Sequence, residues 1–273
     1  MGKLAELIYN DLVARGKKVD TAQHWKSWAT RFEQVCGIKE NYDRSDVIKF
    51  LNWEREQGFI QNSINTHLRP IKLLAHIQGW TFPKLSMPRV KPEDVTRTIF
   101  TKEQVISLIQ LGKQFLEPKQ LSYLALSTTY GVRREEMAKP HPPEIKDKKI
   151  TIYTVKGGPT VKHLIPPEIA PYLENFKPCS IDYMSHMFLR ILYKLGIRVG
   201  PRYGWHSIRR ALVTELLLSD ASALNILRFM RWSDASLKSE FGTLTIYAKK
   251  DQARIDTEIF KIHPFLPYWG KME

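Results

Sequence analysis

The sequence predicts a mainly α chain with a small β-hairpin: a helical bundle over 1–82, a linker over 83–98 and an α+β unit over 99–273. Three observations lead there. Apolar residues recur at helical spacing through most of the chain. Strand-like alternation is confined to residues 149–165, and prolines punctuate an aperiodic, charged stretch between the two regular parts. Hydrophobic residues make up 43% and charged residues 26% of the 273 positions, which supplies real cores and excludes disorder for the bulk of the chain.

The opening stretch, MGKLAELIYNDLVARG, mixes Glu6 and Asp11 with apolar residues and reads as an amphipathic helix, not a signal peptide. Between Thr21 and Val35, Trp25, Trp28 and Phe32 fall at i, i+3 and i+7, an apolar stripe assigned to the core and not to base stacking. Asp43 or Ser45 is placed to cap a helix carrying Val47, Phe50, Leu51 and Trp53, which Gly58 ends. A fourth helix begins near Ser63 and carries Ile64, Leu68, Ile71, Leu74 and Ala75, with Pro70 expected to kink it. Pro83, Pro88 and Pro92 then mark the linker.

In the second unit, Thr101 and Gln104 form a capping box ahead of Val105, Leu108 and Ile109. A helix over Lys119–Tyr130 stops at Gly131, and a short one follows over Arg134–Ala138. Lys149–Val155 alternates apolar and polar residues, Gly157-Gly158-Pro159 turns the chain, and Val161–Ile165 runs back as a hairpin. Helices fill most of the chain from Pro167 to about Tyr247, before a tail that is charged and then aromatic, FKIHPFLPYWG.

The chain holds 42 Lys and Arg against 28 Asp and Glu, a formal net charge of +14 shared by both units. Such an excess favours a polyanionic partner, most often nucleic acid, gripped by two basic bodies that displace its counterions. Cys36 and Cys179 are too few for a disulfide framework or a thiolate metal site. No apolar run approaches the ~20 residues of a membrane span. The expectation is a soluble, cytoplasmic protein that makes no use of a membrane.

Four segments have polar residues suited to one task. YGVRREEMAKP places Arg133 after a glycine at a helix start with Glu136 three residues on, and TVKGGPTVKH carries Lys156 at the hairpin tip. WHSIRRALVTELLL puts His206 and Arg209 at i and i+3 of one helix. The segment from Phe229 to Asp251 holds Trp232 and Tyr247. Each is weak alone. Together and in this order they resemble the tyrosine recombinase family of integrases and resolvases, and look most like the divergent integrases of archaeal viruses and plasmids.

The resemblance spans nearly the whole chain. It implies a helical core-binding (DNA-clamping) domain followed by the α+β tyrosine recombinase catalytic domain. Its first arginine falls on Arg133, the supporting glutamate on Glu136, and the hairpin lysine on Lys156, with Lys162 in reserve. The His-x-x-Arg pair falls on His206 and Arg209, the His/Trp position on Trp232, and the nucleophile on Tyr247. Two departures stand out. The interval of 15 positions from Trp232 to Tyr247 is longer than the family usually shows, and Arg134 and Arg210 are off-by-one alternatives to Arg133 and Arg209.

The resemblance implies an integrase that cleaves and rejoins double-stranded DNA through a 3′-phosphotyrosine, needs neither metal, ATP nor cofactor, and works as a homotetramer on two DNA sites. A covalent intermediate conserves the bond energy. The transition state gathers charge on non-bridging oxygens, which the planar forks of Arg133 and Arg209 suit better than a lysine would. A phenol of pKa about 10 must lose a proton and the leaving 5′-oxygen must gain one. His206 suits the first role and Lys156 the second, while Trp232 offers an indole N–H or seals the site. A type IB topoisomerase and an idle DNA-binding protein of the same fold are the alternatives. The aromatic tail (Phe265, Leu266, Tyr268, Trp269) is expected to dock on its own or a neighbouring protomer, so that deletion after Asp251 would impair assembly more than cleavage.

Overall fold

The computed structural model describes residues 3–88, 98–155, 158–232 and 251–270 and divides the chain into two units, Met1–Thr96 and Arg97–Glu273. The first contains helices α1 (Lys3–Ala14), α2 (Val19–Cys36), α3 (Arg44–Glu56) and α4 (Gln61–Gln78). Asp43 caps α3 by accepting from the backbone N–H groups of Ser45 and Asp46, and Asp46 returns the bond to Asp43 N–H, so these three donors of that terminus are satisfied. α4 begins at Gln61 and continues through Pro70, whose side is buried.

The apolar stripe of α2 faces inward as expected. Trp28 and Phe32 are buried, and Phe32 meets Phe50 edge-on with centroids 5.3 Å apart. Trp25 is only half-buried at the margin of that core. One polar pair lies within it. His67 stacks on Trp28 at 3.3 Å between centroids, and its Nδ1 is 2.5 Å from Glu54 Oε1.

The second unit is built around α6 (Pro118–Tyr130), buried on every side from Leu121 to Tyr130, as a helix enclosed by its neighbours must be. Around it lie α5 (Lys102–Phe115), started by the Thr101–Gln104 box, and α7 (Arg134–Met137), α8 (Ala170–Leu173), α9 (Ile181–Lys194), α10 (Trp205–Leu218) and α11 (Ala223–Phe229). The helix over Gln252–Lys261 is α12 here.

The expected hairpin is part of a three-stranded antiparallel sheet, β1 (Glu144–Lys146), β2 (Lys149–Ile152) and β3 (Val161–Leu164), in that order. Ile150 pairs with His163, and both point into the core. β1 escaped the sequence reading because its three residues are all exposed, so no apolar alternation marks it.

The tail seats on its own unit. Trp269 is 1% exposed and donates from Nε1 to Thr128 Oγ1 at 3.0 Å. Lys113 Nζ donates to the carbonyl of Gly270 at 2.6 Å, and buried His263 reaches the carbonyl of Thr129 at 2.9 Å. These residues complete the core of the second unit, the docking on the tail's own protomer being one of the two placements expected for it. Among the described residues, no helix is long and apolar enough to cross a membrane.

Candidate active site

Gly131 ends α6 in the left-handed conformation, φ 55°, which glycine adopts without a side-chain clash. The turn delivers Arg133 to the start of α7. There the backbone N–H of Arg133 donates to Glu136 Oε2 at 3.0 Å, and its guanidinium Nη1 pairs with Glu136 Oε1. Glu136 is fully buried. Burial alone pushes its carboxyl up, but Arg231 and Arg133 outweigh this and hold it below the ordinary carboxylate value.

α10 carries His206 and Arg209. Arg209 is 5% exposed and donates from Nη1 to the carbonyl of Gly131 at 2.5 Å and from Nη2 to that of Met230 at 2.6 Å. Its guanidinium carbon lies 5.6 Å from the ring centroid of half-buried Trp232, within cation–π range. Burial first, then the charges of Arg231 and Arg133, press its pKa downward, yet an arginine keeps its proton, so the shift records a cation held out of water beside two others. His206 is half-buried and borders a cavity of about 270 Å³ with Arg134, Ser185 and Tyr203.

The two off-by-one arginines point elsewhere. Arg134 donates to Ser185 Oγ at 2.7 Å, and Arg210 donates to the carbonyl of Thr98 at 3.0 Å. Lys162 is exposed on β3. Lys156 and Tyr247 lie outside the described residues. The described part of the constellation thus brings together the turn from Gly131 to Arg133, Glu136, Arg209 and the stretch Met230–Trp232.

Three further residues belong to this cluster and were not anticipated. Arg231 is fully buried, with φ 57°, and donates to the carbonyls of Tyr130 and Phe229 at 3.2 Å each. Its Nη2 reaches Glu136 Oε2 at 3.4 Å, and its Nη1 reaches His163 Nε2 at 3.2 Å. An arginine only donates, so Nε2 accepts and the imidazole proton sits on Nδ1, where it is given to Asp256 Oδ1 at 2.8 Å. Burial lowers the His163 pKa, in keeping with a neutral ring. The one sequence signal was His163, a polar residue at an inward-facing strand position.

No family model and no curated protein matches the chain. Solved structures do. A lambda integrase dimer bound to a core site aligns at TM-score 0.64 with 15% identity, over 91% of this chain and 78% of the other. A lambda integrase tetramer bound to a Holliday junction aligns at 0.64 with 14% identity, over 87% and 76%. The Tn1549 transposon integrase in complex with transposon right end DNA aligns at 0.59 with 15% identity, over 94% and 99%. At such identities the likeness is one of fold, and the chain has the tyrosine recombinase fold, a helical bundle followed by a mainly α unit with a small antiparallel sheet.

Proposed function

We propose that the protein is a site-specific DNA recombinase of the integrase type, which cleaves and rejoins double-stranded DNA through a 3′-phosphotyrosine on Tyr247. One observation carries this reading. Three guanidinium groups, Arg133, Arg209 and Arg231, gather around a single buried carboxylate, Glu136. With the Asp256 carboxylate counted, the cluster keeps an excess of one positive charge, which the single charge of a phosphodiester would neutralise.

In this reading the Tyr247 phenol oxygen attacks the scissile phosphorus, the bond to the 5′-oxygen breaks, and the phosphate remains esterified to tyrosine. His206 takes the phenolic proton and Lys156 supplies one to the departing 5′-oxygen. Arg133 and the outward N–H groups of Arg209 meet the non-bridging oxygens, and Trp232 flanks them. The exchange is nearly isoenergetic, so it calls for no ATP, and preorganised cations do the work a metal would otherwise do. By analogy with the lambda integrase tetramer on a Holliday junction, four copies act on two sites. The +14 charge supplies the remaining grip on the duplex.

The test is covalent capture. A pool of nicked duplexes of randomised sequence traps cleaved product, because the short strand beyond the nick diffuses away. Denaturant-stable adducts mapping to Tyr247, abolished by Tyr247→Phe, are expected. An adduct retained by that variant overturns the nucleophile, and relaxed plasmid without recombinants from two-site DNA favours the topoisomerase alternative.

A further inference from the structure

We infer that Arg231 is a positioning residue: its buried side chain holds Glu136, and through it Arg133, and is itself latched to α12 by His163 and Asp256. The inference rests on the recombinase reading and extends it to residues that do not touch DNA.

The latch is continuous in hydrogen bonds. Asp256 Oδ2 accepts from the backbone N–H of Leu164 at 2.7 Å, while Oδ1 accepts from Gln252 Nε2 and from His163, each at 2.8 Å. Its buried charge is therefore met by three donors. His163 receives Arg231 Nη1, and Arg231 Nη2 grips the same Glu136 oxygen that accepts the Arg133 backbone N–H. Asp256, His163, Arg231 and Glu136 are all sealed from solvent. None can reach a phosphate, so any effect on the reaction passes through the residues they hold, Arg133 first among them.

Arg231 also touches the hairpin segment that carries Lys156. A Cβ built on Gly158 would come within 2.4 Å of the Arg231 carbonyl oxygen, so the turn two residues after Lys156 rests on Arg231 itself. Trp232, beside Arg231, faces Arg209. One buried cation is thus bonded to the Arg133 segment, packed against the hairpin segment and beside Trp232, and it holds a left-handed backbone that non-glycine residues rarely adopt.

The test compares single-turnover cleavage of a captured duplex carrying either the ordinary phosphate or a methylphosphonate at the scissile position. The methyl group removes the oxygen charge that Arg133 would meet. Asp256→Asn preserves shape, and Arg231→Met removes the charge at similar length. Losing a preorganised donor slows reactions by roughly 10²–10³, so misaligning one is expected to slow both variants at least about tenfold on phosphate. On methylphosphonate the penalty should shrink to within about threefold, as for Arg133→Ala, with DNA affinity unchanged throughout. Equal penalties on both substrates, or full-rate cleavage by either variant, overturn the inference alone. Absence of any adduct with the parent chain overturns the recombinase reading and this inference with it.

Discussion

The Arg209 guanidinium is held at two corners by the carbonyls of Gly131 and Met230 and lies 5.6 Å from the ring of Trp232. A planar fork with five N–H donors can make both anchors and keep donors for a phosphate, whereas an ammonium cannot span two carbonyls and a substrate in that geometry. Arg209→Lys is therefore expected to cut single-turnover cleavage by roughly 10²–10³-fold. Duplex affinity, measured by anisotropy, should fall by less than about tenfold, because many other cations share the phosphate contacts. Parallel losses of binding and cleavage would contradict this assignment.

Gly131 is tied to the same geometry. An alanine Cβ there would meet Met230 Cε at 2.4 Å and Arg209 Cγ at 3.3 Å, on a backbone at φ 55°. Gly131→Ala should cost about 1–2 kcal/mol from the left-handed conformation alone, with further loss as Met230 shifts. The denaturation midpoint reports stability, and cleavage per folded molecule reports displacement of Arg209. A variant with the parent's midpoint and rate would show that the turn tolerates a side chain.

What the sequence could and could not tell follows from how far apart partners lie along the chain. The Thr101–Gln104 box, the stop at Gly131 and the Asp43 cap involve neighbours within a few residues, and each was legible. The Arg133–Glu136 pair was within reach because its members are three apart. Arg231 was not, since it meets the Tyr130 carbonyl across 101 positions and His163 across 68. Its positive φ has no sequence mark, and an arginine beside a tryptophan reads as a surface charge by default. Exposed β1 was hidden for the opposite reason, having no buried face to pattern it.

The Glu54–His67 pair gives a dependence on pH that can be separated by mutation. Burial pushes the Glu54 carboxyl up to about 7 from 4.5, and burial, aided by the charges of His24 and Arg31, pushes His67 down to about 4 from 6.5. Between about 4.5 and 6.5 the folded chain keeps a Glu54 proton that the unfolded chain releases, and lacks a His67 proton that the unfolded chain takes up. The two effects on stability oppose each other there. Glu54→Gln removes the first and leaves the second, so the variant's own stability rises with pH from about 4 to 6.5, and relative to the parent it rises across the Glu54 window, from about 4.5 to 7. Urea midpoints of the first unit across that window check the sign, and a pH-independent offset between the two proteins would refute it.

The C-terminal tail supplies the sharpest contrast between assembly and folding. Trp269 is buried against Tyr172, with ring centroids 4.8 Å apart, and its indole N–H is used by Thr128 on α6. Phe265 and Leu266 are buried beside it, and α12 contributes Ile255, Ile259 and the Asp256 latch to the same unit. Removing so large a side chain leaves a cavity and takes from Thr128 Oγ1 the N–H it accepts, while that hydroxyl still donates to the Leu124 carbonyl, so Trp269→Ala should cost about 3–5 kcal/mol. That is a sizeable part of the 5–15 kcal/mol, in order of magnitude, that holds a domain folded. Truncation after Asp251 should accordingly abolish cleavage and multimer formation together, with loss of cooperative unfolding of the second unit. A truncated chain that unfolds cooperatively, still forms the tyrosine adduct and fails only to assemble would show that the tail's contacts matter between protomers more than within one.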